Sequence, residues 1–276
     1  MDIMIDAWQI TPTQNSKLQM DPGSLDEITR QLPDGYYSTF RTFDGGRGVL
    51  GFSDHLRRLY EPISAPEIDE LFLRRQLFTL LEPYRPGEAR VRLIMTHQGQ
   101  VYFAMEILRP LPIEVYEKGV YVETTELQRQ HPRLKSTAFI GRSDSERKHI
   151  AKQGIFEALL VKDGKILEGM TSNFFSVKDD ILYTAQDDIL LGFTRKTVID
   201  VAQGRGVAVN YEPLKRDQLE TIDEAFITSS SRGVVPVVQI DRVPVGQGSP
   251  GPLTRRLSAA YDQYVQENAE RILPID

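Results

Sequence analysis

Between Gly154 and Arg195 the chain is cut into apolar runs too short to be helices. E-A-L-L-V-K, K-I-L-E, N-F-F-S-V-K and I-L-Y-T are separated by D-G at Asp163 and Gly164, by G-M-T-S and by K-D-D. Asp-Gly between short apolar runs favours a tight hairpin turn, because Gly takes positive φ without steric cost and Asp tolerates it. The second half therefore has to build antiparallel strands, and a helix can begin only after L-L-G-F-T-R. The turns and strand ends collect Glu168, Ser172, Asn173 and Thr194 within some forty residues. Polar groups so placed can converge on one site.

The remaining chain is mixed. Residues 36–43, Y-Y-S-T-F-R-T-F, alternate as a strand, meet D-G-G at Asp44 to Gly46 and are expected to return over 47–52. Ser53 is the expected cap of a short helix carrying His55, Arg57 and Arg58, and 67–84 has helical apolar spacing through Leu73, Leu77, Leu80 and Leu81. Strands are expected over 90–95, 101–108 and 120–125. Pro110 and Pro112 favour an extended connector, which places a boundary at 109–118 and divides the chain into a smaller α/β domain, 1–112, and a larger one, 119–276. Ser143 with Glu146 reads as a capping box for a helix ending at Gly154, and Pro252 as the first residue of a closing helix. No repeat or low-complexity segment is present.

Composition narrows the partners. A net charge of −6 gives no reason to expect nucleic acid or an anionic membrane, and the absence of cysteine excludes disulfides and cysteine zinc sites. The start of the chain, residues 1–10, alternates apolar and acidic residues, unlike a signal peptide, and no apolar run reaches the roughly 18 residues of a membrane span. A cytoplasmic protein is expected. His97, His131 and His149 have no carboxylate at metal-ligand spacing, so no metal is expected.

Taken together, these segments resemble the class IV (fold-type IV) pyridoxal-phosphate aminotransferases. The resemblance is carried by the glutamate after a D-G hairpin followed by S-N-x-F (Glu168, Ser172 to Phe175), by L-x-G-F-T-R (Leu190 to Arg195), by H-x-x-R-L (His55 to Leu59) and by F-I-T-S-S-S-R-G-V-V-P-V (Phe226 to Val237). It covers most of the chain. It implies an α/β (α+β) fold of two domains, pyridoxal 5'-phosphate as cofactor and a homodimer.

The resemblance also implies roles. Lys135, some thirty residues before Glu168, takes the place of the lysine that bonds the cofactor aldehyde and shuttles the proton; among so many solvated cations only its position singles it out. Glu168 takes the place of the acid that keeps the cofactor ring nitrogen protonated, its alternative being an exposed hairpin-end glutamate. Ser172 and Asn173 are expected at the cofactor's edge, beside Met170 where the family has a small residue. Phosphate donors are expected from Arg58, from Phe193 and Thr194 at a helix start, and from Ser229 and Ser230. Arg57 competes with Arg58 but falls out of the family register, and His55 reads as scaffold. Tyr37, Arg41 and Ser231 are candidate substrate contacts, although Tyr37 and Arg41 also suit an ordinary amphipathic strand.

The implied reaction is amino transfer between an amino acid or amine and a 2-oxo acid, most like the branched-chain enzymes. D-amino-acid aminotransferase and 4-amino-4-deoxychorismate lyase are the alternatives, and an inactive cofactor-binding or scaffold protein is the non-enzyme one. Two departures bear on substrate. Arg109 lacks the companion histidine of the D-specific carboxylate trap, and Ile140 replaces the tyrosine that follows the lysine in branched-chain enzymes.

Overall fold

The computed structural model describes residues 4–63 and 68–273. The chain divides into two compact units of mixed α and β structure, one of Met1–Arg109, Leu134–Gly141 and Glu267–Asp276, the other of Pro110–Arg133 and Arg142–Gln266.

The first unit is built on an antiparallel sheet of β1 (Ile5–Ile10), β2 (Asn15–Lys17), β3 (Gly35–Phe43), β4 (Gly48–Val49), β5 (Ala89–Thr96) and β6 (Val101–Ile107). Its order is Glu270–Arg271, β4, β3, β5, β6, β1, β2. Alternation along the strands sorts side chains to two faces. Val91, Leu93, Met95, Phe103 and Met105 join a core with Phe52, Leu56, Leu73 and Leu77 from the helices Phe52–Tyr60 and Glu70–Leu80. Tyr37, Ile94, Tyr102 and Ala104 join another with Leu25 and Ile28 of the helix Leu25–Gln31.

Several local expectations are corrected. The return strand over 47–52 shrinks to Gly48–Val49, because Gly51 at φ +63° caps a helix that begins at Phe52. Ser53 does not cap it; its hydroxyl donates to Glu70 Oε1 at 2.8 Å. The helix expected over 67–84 runs from Glu70 to Leu80, where Asp69 accepts from the Phe72 N–H at 2.7 Å, and a separate 3-10 turn over Glu82–Tyr84 accommodates Pro83. Residue 67 lies outside the described residues.

The Gly35 end of β3 has a free edge beyond β4, and the segment containing Lys135 fills it. Tyr37 N–H donates to the Lys135 carbonyl, Thr137 N–H to the Gly35 carbonyl and Gly35 N–H to Thr137 Oγ1, each at 3.0 Å. These bonds explain why 134–141, which sequence order puts within 119–276, packs with the first unit. Gly35 also lets β3 lie close against β5: a Cβ there would lie 2.1 Å from the Met95 carbonyl oxygen.

In the second unit the segment expected to be extended folds at Ile113–Lys118 into a short helix entered from Pro112. The strands are β7 (Val120–Thr125), β8 (Glu157–Lys162), β9 (Lys165–Gly169), β10 (Asn173–Lys178), β11 (Ile181–Tyr183), β12 (Val209–Asn210), β13 (Glu224–Ser229) and β14 (Gly233–Ile240). The ladder runs β10, β13, β14, β7, β8, β9 and returns to β10, so that six strands close on themselves. The closing pair is Asn173 opposite Glu168, secured by Gly169 N–H to the Ser172 carbonyl at 2.9 Å. Both expected hairpin turns use positive φ, at Asp163 (51°) and Gly164 (71°) and at Asp179 (51°) and Asp180 (60°).

The capping box is not formed. Ser143 is helical (φ −88°, ψ 0°), and its hydroxyl accepts from Arg147 Nε at 2.9 Å. A buried acid caps the closing helix Pro252–Asn268 instead, where Glu224 accepts from the N–H groups of Leu253 (3.0 Å) and Thr254 (2.6 Å). No helix among the described residues is long and apolar enough to cross a membrane.

A Gly35→Ala variant should lose about 1–3 kcal/mol, the usual cost of overpacking, in denaturant unfolding. The Gly35 end of the β3–β5 pairing should lose hydrogen-exchange protection ahead of the rest of the sheet, and unchanged stability and protection would show that the two strands do not need this close approach.

Candidate active site

Barrel closure determines the surroundings of Glu168. At 1% exposure, its carboxylate is supplied with donors on both oxygens. Oε1 receives Arg129 Nε at 2.8 Å, and Oε2 receives Asn173 Nδ2 at 3.2 Å and the Leu190 N–H at 3.1 Å. Such a set holds a carboxylate in its charged form inside a protein. Arg129, absent from the sequence expectations, also donates to the Met170 carbonyl at 2.7 Å and thereby anchors the turn at the Met170 departure. No motif or periodicity pointed to Arg129.

Asn173 extends this network. Besides Glu168, Nδ2 donates to the Leu190 carbonyl at 2.7 Å, and a Cβ on Gly192 would lie 2.3 Å from Asn173 Oδ1. Glycine at 192 is thus what lets the loop 190–192 approach the barrel end. The helix Phe193–Gly204 starts there, and its cap residue Gly192 provides no side-chain acceptor for the first-turn N–H groups. At that start the Thr194 hydroxyl lies 3.5 Å from the Ser230 hydroxyl, on the turn after β13. Arg195, buried, braces the loop by donating to the Ala185 carbonyl (2.7 Å) and Gln186 Oε1 (2.9 Å), and burial draws its pKa down.

The other predicted hydroxyls of this unit face elsewhere. Ser172 Oγ turns to Glu157 Oε2 at 3.3 Å, and Ser229 Oγ accepts from Arg232 Nε at 3.0 Å. Phe193 and Ser231 are half-buried at the helix start and the turn.

Four predicted residues stand in the first unit. Lys135 Nζ lies over the Tyr37 ring, 5.0 Å from its centroid, and the Arg92 guanidinium is 4.6 Å from the same centroid. Arg41, four residues farther along β3, is ion-paired with Glu88 and lies over the Phe43 ring, so Tyr37 and Arg41 are not brought together. Arg58 is half-buried, whereas Arg57 is exposed and paired with Asp54. His55 is buried, with Nδ1 2.7 Å from Ser38 Oγ. Burial first, then the charges of Arg58 and Lys135, push its pKa from 6.5 to about 3, which keeps the ring neutral.

The second unit's groups fit the cofactor that the resemblance implies. A buried carboxylate with fixed donors suits a protonated ring nitrogen, and helix N–H groups without a side-chain cap, beside two hydroxyls, suit a phosphate. Glycine at 192 is required for the approach of the two halves of this arrangement.

Two consequences are measurable. Arg129→Met leaves Glu168 buried without its cation and should cost about 3–5 kcal/mol in unfolding free energy, with Glu168→Gln partly restoring it; a loss under about 1 kcal/mol would show that the pair is solvated. His55 titrates near 6.5 when unfolded and about 3 when folded, so in that window the unfolded chain binds a proton that the folded protein refuses. Its contribution is complete above 6.5 and declines as pH falls toward 3. Urea unfolding between about pH 7 and 5 should show a shallower pH dependence for His55→Gln than for the wild type, and equal slopes would assign the dependence to other groups.

The chain is 30% identical over 254 residues to the D-alanine aminotransferase of Bacillus licheniformis, covering 85% of this chain and 89% of that one. It is 29% identical over 164 residues to the branched-chain-amino-acid aminotransferase of Pseudomonas aeruginosa, covering 57% and 53%. The branched-chain amino acid aminotransferase of T.th., solved with pyridoxamine 5'-phosphate, superposes with a TM-score of 0.80 at 22% identity, covering 97% of this chain and 98% of that one. The sequence profile of the amino-transferase class IV family matches residues 35–240, most of the chain, which therefore belongs to that family of pyridoxal-phosphate-dependent transaminases.

Proposed function

We propose that the protein transfers an amino group between an amino acid and a 2-oxo acid, with Lys135 and Glu168 as its catalytic residues. The observation that carries this reading is the fully donated, buried carboxylate of Glu168 at the barrel closure, on the same framework as a helix start without a side-chain cap. When bound, pyridoxal phosphate supplies an aldehyde for the amine and a ring that accepts the electrons left when the α-proton departs.

The chain's own residues do the rest. Lys135 Nζ would hold the cofactor and would take and return the proton at the substrate α-carbon. Glu168 holds the proton on the ring nitrogen, and Arg129 and Asn173 keep its two oxygens in place. The first-turn N–H groups at Phe193 and Thr194 and the hydroxyls of Thr194 and Ser230 would bind the phosphate. Tyr37, its ring beneath Lys135 Nζ, limits where that amine can swing. We take the active form to be a cytoplasmic homodimer, as the family resemblance implies.

Branched-chain amino acids are the first substrates to test. D-alanine is the second, because a relative of that name is 30% identical across most of both chains. A spectrophotometric screen of single half-reactions with L- and D-amino acids, and with 4-amino-4-deoxychorismate, separates these from the lyase.

Borohydride should fix the cofactor to the wild-type protein at Lys135 in a peptide map, and Lys135→Ala should abolish the label. Glu168→Gln should keep the cofactor and slow turnover by about 10²–10³-fold, the scale of losing one preorganised electrostatic contact. A label on another lysine, or unaltered turnover in Glu168→Gln, would defeat the residue assignments.

A further inference from the structure

We propose that Arg232 is the specificity-determining residue that takes the substrate's carboxylate; this rests on the transaminase reading above and adds to it a named anion subsite. Arg232 lies on the turn between β13 and β14, two residues after Ser230, and its carbonyl accepts from the Tyr116 hydroxyl at 2.9 Å. Its guanidinium is locked along one edge. Nε donates to Ser229 Oγ at 3.0 Å, and Nη2 donates to Thr171 Oγ1 at 2.6 Å and to Glu157 Oε2 at 3.4 Å. The group also lies 5.3 Å from the centroid of the Phe156 ring.

Glu157, 3% exposed at its side chain, is shared: it also accepts from the Thr171 and Ser172 hydroxyls and from the Ala158 N–H. Among the described residues Nη1 carries no bond, and the Arg232 side chain keeps 22% exposure. Here the pair and the two hydroxyls fix a planar donor fork in advance and leave its outer edge to an incoming anion, which lowers the entropy cost of binding.

The position suits a substrate anion. Thr171 belongs to the loop joining Glu168 to Asn173, and Ser229 ends β13 beside Ser230, so Arg232 is bonded to both segments that flank the proposed cofactor groups. Arg109, the candidate for the D-specific carboxylate trap, is exposed after the end of β6 and has no companion histidine. Arg232 supplies a carboxylate receptor from a different element.

The test compares holoenzyme of the wild type, Arg232→Gln and Arg232→Lys. One measurement is the ratio of kcat/KM for an accepted amino acid to that for the amine of the same side chain without its carboxylate, followed in half-reactions by cofactor absorbance. In Arg232→Gln this ratio should fall about 10–100-fold, the equivalent of one charge-assisted contact, with partial recovery in Arg232→Lys. Calorimetric binding of maleate, a non-reacting dicarboxylate, should weaken in parallel. Equal losses for amino acid and amine would reduce Arg232 to a brace between loops, and an unchanged ratio with unchanged maleate affinity would make it a surface residue; either overturns the proposal. Maleate binding that depends on Arg232 in a protein without half-reactions would defeat the transaminase reading and leave the anion subsite standing. Turnover without dependence on Arg232 would do the reverse.

Discussion

The return of six strands to their starting partner places Glu168 directly opposite Asn173, and most of the site follows from that pairing. A closed ladder leaves little freedom in register, because a slip of one residue turns every side chain to the other face. Once Glu168 lies inside, its charge must be compensated, since an unpaired buried carboxylate costs several kcal/mol. Arg129, Asn173 and the Leu190 N–H provide that compensation. The same bonds draw in the loop whose last residue, Gly192, begins a helix that lacks a side-chain cap. One closure thus brings an anionic group and an anion-binding group onto one rigid frame, the opposite polarities that a cationic ring bearing a phosphate demands.

The first unit holds its candidate lysine by a different device. Lys135 is carried on a segment that adds to the open end of β3, and backbone bonds to Gly35 and Tyr37 hold it there. Its amine lies above an aromatic ring on a sheet whose other face buries a neutral histidine. The main chain is fixed by the sheet while the long side chain keeps its rotatable bonds.

A second carboxylate at the barrel end, Glu157, repeats the logic with a different outcome. Arg129 is 5% exposed and turned fully inward to Glu168, whereas Arg232 keeps 22% of its side chain open beside Glu157. The first is the proposed cofactor contact, and the second the proposed receptor. Exposure of the guanidinium, more than the identity of the residues, divides the two roles.

Much of this was legible in the chain alone. The hairpins at Asp163 and Asp179 and the helix starting after Gly192 follow from turn chemistry, which is a local property. The cap at Ser53, the box at Ser143 and the strand over 47–52 were misread, because a polar side chain there found a better partner at a distance or a glycine turned the chain early. Arg129 and Glu157 carried no local signal, and Arg232 stood in the quoted motif at 226–237 without an assigned role. Their meaning depends on closure of the barrel, which sets residues from 129, 157, 168, 171 and 232 side by side. Sequence determined which segments are strands, which turns are tight and which residues can hold charge. Only the tertiary structure decided which charges meet and which guanidinium stays open, because burial and pairing are properties of segments distant along the chain that share one low-dielectric space.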